Sequence, residues 1–174
     1  MKNYKLINKA KKGDKNAFTQ LIEAEKTKLY RTAFLYTKNK DDSLDIVQET
    51  IYKALISIKN LKEPTYFSSW LMRILINKSL DFIKKRKKVV SIDFEIDVST
   101  PSREANIVDR LELFTAIDHL NERYKTLIIL KYYQDKTLKQ IAKILDLPEG
   151  TVKSNLHRAI QELRILLKED CVNE

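Results

Sequence analysis

Apolar residues in the first 88 positions recur every three or four residues, the period of helices that bury one face. Between residues 14 and 39 they are Phe18, Leu21, Ile22, Leu29, Ala33 and Phe34. Asp41 then offers an N-cap for a helix over 42–58, with Leu44, Val47, Ile51, Ala54, Leu55 and Ile58 as its stripe. The segment NLKEPT interrupts the pattern. A helix over 65–86 resumes it with Phe67, Trp70, Leu71, Ile74, Leu75 and Phe82, and closes in Lys84, Lys85, Arg86, Lys87 and Lys88. Cations are favourable at that end of a helix. Residues 89–105, VVSIDFEIDVSTPSREA, read as an acidic linker of about 55 Å when fully extended. Alternation at 90–98 would suit a strand, but it has no second strand to pair with. Four helices then fit 107–119, 121–133, 137–145 and 149–168, with Thr137 and Gln140 spaced as a capping box. The expectation is an all-α chain of two small helical domains, 1–88 and 106–174, joined by a flexible linker.

Composition narrows this further. Two glycines and three prolines in 174 residues leave little material for hairpins or glycine-cradled nucleotide sites. The two histidines stand far apart, and one cysteine, Cys171, makes neither an internal disulfide nor a metal cluster. No metal, cofactor or enzymatic role is expected. No apolar run approaches membrane-spanning length, so membrane insertion is not expected and a cytoplasmic address is. Residues 1–88 hold 21 Lys and Arg against 9 Asp and Glu, whereas residues 106–174 hold 11 of each. A front half this basic points to a polyanionic partner.

Both chain-breaking residue types meet in LDLPEGTVKSNLHRAIQELR, residues 145–164. A helix-turn-helix needs this arrangement. Ala142 must be small where the second helix crosses. Ile141, Leu145, Val152 and Leu156 face a joint core. Asp146 leaves the first helix in the left-handed conformation, and Pro148 starts the second. Gly150 leaves room for a phosphate near backbone amides. Thr151, Lys153, Ser154, His157, Arg158 and Gln161 share the outward face, where short donors and cations suit base edges and phosphates.

The stretch LNERYKTLIILKYYQDKTLKQIAKILDLPEGTVKSNLHRAIQELR resembles the promoter-recognising C-terminal domain of bacterial sigma factors, and above all the compact extracytoplasmic-function group. KKGDKNAFTQLIEAEKTKLYRTAFLYTKNKDDSLDIVQETIYKAL and FSSWLMRILINKSLDFIKKRKK are similar to that group's N-terminal domain. The resemblance implies binding to the β′ clamp helices and β flap of core RNA polymerase, promoter DNA as ligand, and control by an anti-sigma factor. It places clamp-helix binding at Asp41, Asp42, Asp45, Gln48, Glu49 and Thr50. It makes Asn77 line a pocket for a flipped base of the downstream promoter element. Arg73, Lys78, Asp81 and Lys84 would flank that pocket, the basic cluster at 84–88 with Lys85 would grip phosphates, and Leu61 would stand in a covering loop where relatives often carry an aromatic residue. In the second domain the matching positions for the upstream element are Lys153, Ser154, His157 and Arg158, with Thr151 and Lys131 beside them. Trp70 either stacks on a base at the melting fork or belongs to the apolar stripe. His119 and Tyr124 read as structural, and Tyr132 and Tyr133 as core or rim. A stand-alone helix-turn-helix regulator is the alternative, and it leaves residues 1–88 without a role.

Overall fold

The computed structural model describes residues 2–90 and 113–170. The chain divides into two compact units, Met1–Ile92 and Asp93–Glu174. Every regular element among the described residues is helical.

The first unit has four helices, α1 Lys2–Lys11, α2 Lys15–Thr37, α3 Lys40–Ser57 and α4 Phe67–Val90. The pattern did not predict α1, which sinks Ile7 and Ala10 into the core and is rich in lysine. It turns into α2 through Gly13, whose φ of 96° suits glycine. Asp14 then caps α2, its carboxylate accepting from the Ala17 amide at 3.0 Å. The cap of α3 is Asn39 rather than Asp41. Its side-chain oxygen accepts from the amides of Asp41 and Asp42 at 2.9 and 3.0 Å. Asp41 and Asp42 lie in the first turn instead, where their charge meets the positive end of the helix dipole.

Close packing of α2, α3 and α4 explains which stripe residues go inside. The inner face of α3 carries Ser43, Ile46, Val47, Thr50 and Ala54. The small hydroxyl residues lose no hydrogen bonds there. Thr50 Oγ1 donates to the Ile46 carbonyl at 2.7 Å, Thr32 Oγ1 to Lys28 at 2.8 Å and Ser79 Oγ to Leu75 at 2.9 Å. Leu44 and Leu55, expected inside, face solvent. On α4 the core positions are Phe67, Leu71, Met72, Leu75 and Ile76, while Trp70, Ile74 and Phe82 are half-buried. Removing a side chain as enclosed as Leu71 costs about 2–5 kcal/mol. Val89 and Val90, assigned to the linker by their pattern, continue α4. The rest of the linker, its alternating stretch and residues 107–112 of the next predicted helix lie outside the described residues.

The second unit begins with α5 over 113–119 and α6 Glu122–Ile128, capped by Asn121. A π-helical turn, Ile129–Tyr133, extends α6. Leu127, Ile128, Ile129 and Leu130 are all buried, so this segment is apolar on every side. The wider turn closes with the Gln134 amide on the Ile129 carbonyl at 3.0 Å and leaves Tyr132 and Tyr133 exposed rather than in the core. His119 is exposed as well. Lys125, itself buried, bonds Asp118 at 2.7 Å. The unit ends in α7 Leu138–Leu145 and α8 Glu149–Asp170.

Candidate nucleic-acid interface

The capping box at Thr137 forms in both directions. The Gln140 amide donates to Thr137 Oγ1 at 3.3 Å, and the Thr137 amide donates to Gln140 Oε1 at 2.9 Å. At the other end of α7, Asp146 takes a φ of 57°. The amides of Asp146 and Leu147 both reach the Ala142 carbonyl. The chain therefore reverses over Asp146, Leu147 and Pro148. The Pro148 carbonyl accepts the first bond of α8, from Val152 at 3.1 Å, so this proline caps the helix without needing an amide of its own. Ile141, Val152 and Leu156 form the joint core as the pattern requires. Ile144 fills the place expected of Leu145, which is half-buried, and Ala142 is also half-buried. This is helix-turn-helix geometry.

Asn155, Leu156 and Ala159 turn the inner face of α8 to the core, which leaves Lys153, Ser154, His157, Arg158 and Gln161 exposed together. Thr151 is half-buried, and Ser154 Oγ donates back to its carbonyl at 3.1 Å. Lys131 stands half-exposed in the π-helical turn. Nothing lies within 4 Å of where a Cβ on Gly150 would point. An alanine there fits the free protein and favours the helix by up to about 1 kcal/mol. The same methyl group would stand where a phosphate reaches the first amides of α8. Gly150→Ala is therefore expected to raise the unfolding midpoint while weakening binding to a duplex whose phosphate approaches there. Thermal unfolding and a DNA-binding curve measured together check these opposite signs, and unchanged DNA binding would contradict the phosphate approach.

In the first unit, Trp70, Arg73, Asn77, Asp81 and Lys84 follow each other at steps of three and four along α4. Asn77, Asp81, Lys84 and Lys85 are exposed, whereas Arg73 and Lys78 are half-buried. Trp70 rests on the buried Phe67, ring centroids 5.9 Å apart, with part of its indole left open. One stripe thus holds an aromatic plane, an amide and cations, the groups that meet base faces, base edges and phosphates. Leu61 does not join it. Its side chain is 6% exposed and belongs to the core. Ile58, Leu61, Pro64 and Phe67 all point inward, so the segment between α3 and α4 turns Lys59, Asn60, Lys62 and Tyr66 to solvent.

The acidic face of α3 keeps Asp41, Asp45, Gln48 and Glu49 exposed, with Asp42 half-buried. Thr50 departs from it, being fully enclosed. The structure also joins two of these surfaces. Lys78 bonds Glu49 at 2.8 Å and Arg86 bonds Asp42 at 3.4 Å, so the basic stripe and the acidic face meet along their edge. Such surface pairs contribute about 0–1 kcal/mol each and give way readily to a stronger ligand.

A helix-turn-helix in one unit, and in the other a long helix whose stripe carries an aromatic ring, an amide and cations, have the make-up of a nucleic-acid-binding protein built in two parts. Residues 110–163 match the family Sigma-70, region 4, and residues 21–89 match Sigma-70 region 2. The chain is 42% identical over 164 residues to the RNA polymerase sigma factor SigV of Bacillus subtilis, covering 93% of this chain and 98% of that one. It is 32% identical to the ECF RNA polymerase sigma factor SigW of the same organism, covering 95% and 96%. Among solved structures, a sigma factor RpoE in complex with the anti-sigma factor NepR from Bartonella quintana matches with a TM-score of 0.71 at 25% identity, covering 87% of this chain and 96% of that one. CnrH, solved with the cytosolic domain of CnrY, shares the fold at a TM-score of 0.74 and 23% identity, over 97% and 98% of the two chains. The chain belongs to the extracytoplasmic-function sigma factors of bacterial RNA polymerase.

Proposed function

We propose that this sigma factor binds core RNA polymerase through the outer face of α3, reads an upstream promoter element with α8 and holds an unpaired base of the downstream element against α4. The protein supplies no chemical step. Its work is differential binding, since a flipped base costs a few kcal/mol and is retained only if the protein holds it. The acidic residues Asp41, Asp45 and Glu49, with the amide of Gln48 among them, would meet a basic partner, with Lys84 and Lys85 on phosphates and Asn77 on a base edge. Its place of work is the cytoplasm, beside the polymerase. No helix among the described residues is long and apolar enough to cross a membrane.

The observation that carries this reading is the α3 face itself. Leu44, Tyr52, Leu55 and Ile56 are 39%, 67%, 44% and 49% exposed on a helix whose inner side is already packed. Large apolar groups rimmed by charge mark a protein-binding surface. Core polymerase is the occupant proposed for it. A solved relative, RpoE bound to the anti-sigma factor NepR, supports a second, inhibitory partner that competes for the free protein. Replacing Tyr52 and Leu55 together by alanine removes contact area without opening the core. The expected result is a loss of core affinity of about tenfold or more with an unchanged unfolding midpoint, read by fluorescence binding and thermal unfolding. Full affinity in the double variant would contradict this docking surface.

A further inference from the structure

The loop between α3 and α4 is held by an element that the matched family region, residues 21–89, does not include. Two 3-10 turns, Ile58–Asn60 and Pro64–Tyr66, flank Leu61, Lys62 and Glu63. Helix α1 packs against both turns. From its last residue, the half-buried Lys11 sends its ammonium to the Leu61 carbonyl at 2.6 Å, fifty positions along the chain. The Leu61 amide already donates to Ile58 at 3.0 Å, so both backbone polar groups of Leu61 are engaged. On the far side the Tyr66 amide closes on the Glu63 carbonyl at 3.0 Å. The residues on either side of Leu61 are Asn60 and Lys62, and both are exposed.

We propose that Lys11 is a positioning residue for promoter opening: by clamping the Leu61 carbonyl it fixes where Asn60 and Lys62 meet the unpaired base, which makes α1 part of the downstream-element apparatus. This rests on the downstream pocket proposed above. A hydrogen bond from a charged donor is stronger and more directional than a neutral one, and here it acts at a segment with no regular structure of its own. The apolar anchors Ile58, Leu61 and Pro64 keep the loop on the core, whereas the ammonium holds the peptide between Leu61 and Lys62 in one orientation. Without it that peptide can rotate while the anchors stay buried. Fold and polymerase binding would then survive, and the loop would present its side chains less uniformly to a base.

The test compares Lys11→Met, which keeps the stem and removes the donor, with Lys11→Arg and Asn77→Ala. Each is assembled with core polymerase on a promoter selected with the unsubstituted protein. Open-complex formation is measured on four templates that differ only in the trapped base. Lys11→Met is expected to lower discrimination among the four about fivefold, the net effect of losing one ordinary hydrogen bond at a half-buried site. Core affinity and the unfolding midpoint stay in place, and Lys11→Arg restores discrimination. Unchanged discrimination in Lys11→Met beside a loss in Asn77→Ala overturns the clamp and leaves the pocket standing. A loss that follows a fall in unfolding midpoint, or that arginine does not restore, also overturns it. Discrimination intact in Asn77→Ala removes the pocket, and the clamp with it.

Discussion

Asn77→Ala is expected to lower open-complex formation on duplex promoters by roughly 5- to 150-fold while leaving affinity for core polymerase unchanged. The range is what an amide that pairs with one base edge supplies, about 1–3 kcal/mol. Asn77 is exposed on α4, so alanine leaves no cavity and improves helix propensity. A loss confined to opening is then not a loss of folding. Permanganate reactivity of unpaired thymines reads opening, and a separate binding curve reads assembly with core. Equal loss in both would mean that residue 77 acts in polymerase docking instead. Unchanged opening would remove Asn77 from the pocket. A template already melted over the downstream element should recover part of the deficit, because the cost of unstacking has been removed while the base contact has not.

The second large effect belongs to the other unit. Lys153→Ala with Arg158→Ala should abolish most use of the upstream element, by about a hundredfold if one cation reads a base and the other a phosphate. Both side chains are exposed on the outer face of α8, so the unit remains folded. The dependence of promoter binding on log salt should flatten by about 0.9 for each phosphate contact removed. Transcription from a pre-melted template with no upstream element should persist at its original level. Failure on that template would point to lost folding or lost polymerase binding, and full activity on the native promoter would displace the readout from this helix.

The second unit was the more legible in sequence because backbone chemistry decided it. A left-handed residue after α7, a proline before α8 and the Thr137–Gln140 pair each have few structural solutions, and Asp146 at a φ of 57° is one of them. The first unit was legible in its long helices and less so in their faces. Leu44 and Leu55 fall on the helical period, yet they face solvent because helix packing took the smaller Ser43, Thr50 and Ala54 inward. Hydrophobicity does not separate an apolar residue destined for the core from one destined for a partner. Helix α1 escaped the pattern because Ile7 and Ala10 are its buried residues among the described ones, set among many lysines. The Lys11 bond to Leu61 joins positions fifty apart, and nothing local encodes it. Leu61 was misplaced for a related reason: between two 3-10 turns the inward residues Ile58, Leu61 and Pro64 fall three apart, so the aliphatic residue goes inward and its polar neighbours face out.

Run-off transcription from a promoter library with purified core polymerase tests the central claim most directly. Adding the protein should confine initiation to sites that share two separated sequence blocks. Asn77→Ala should erase preference at the downstream block alone, and the Lys153 and Arg158 substitutions at the upstream block alone. Initiation that remains unselective when the protein is added, or a preference at both blocks that survives either set of substitutions, would contradict the account.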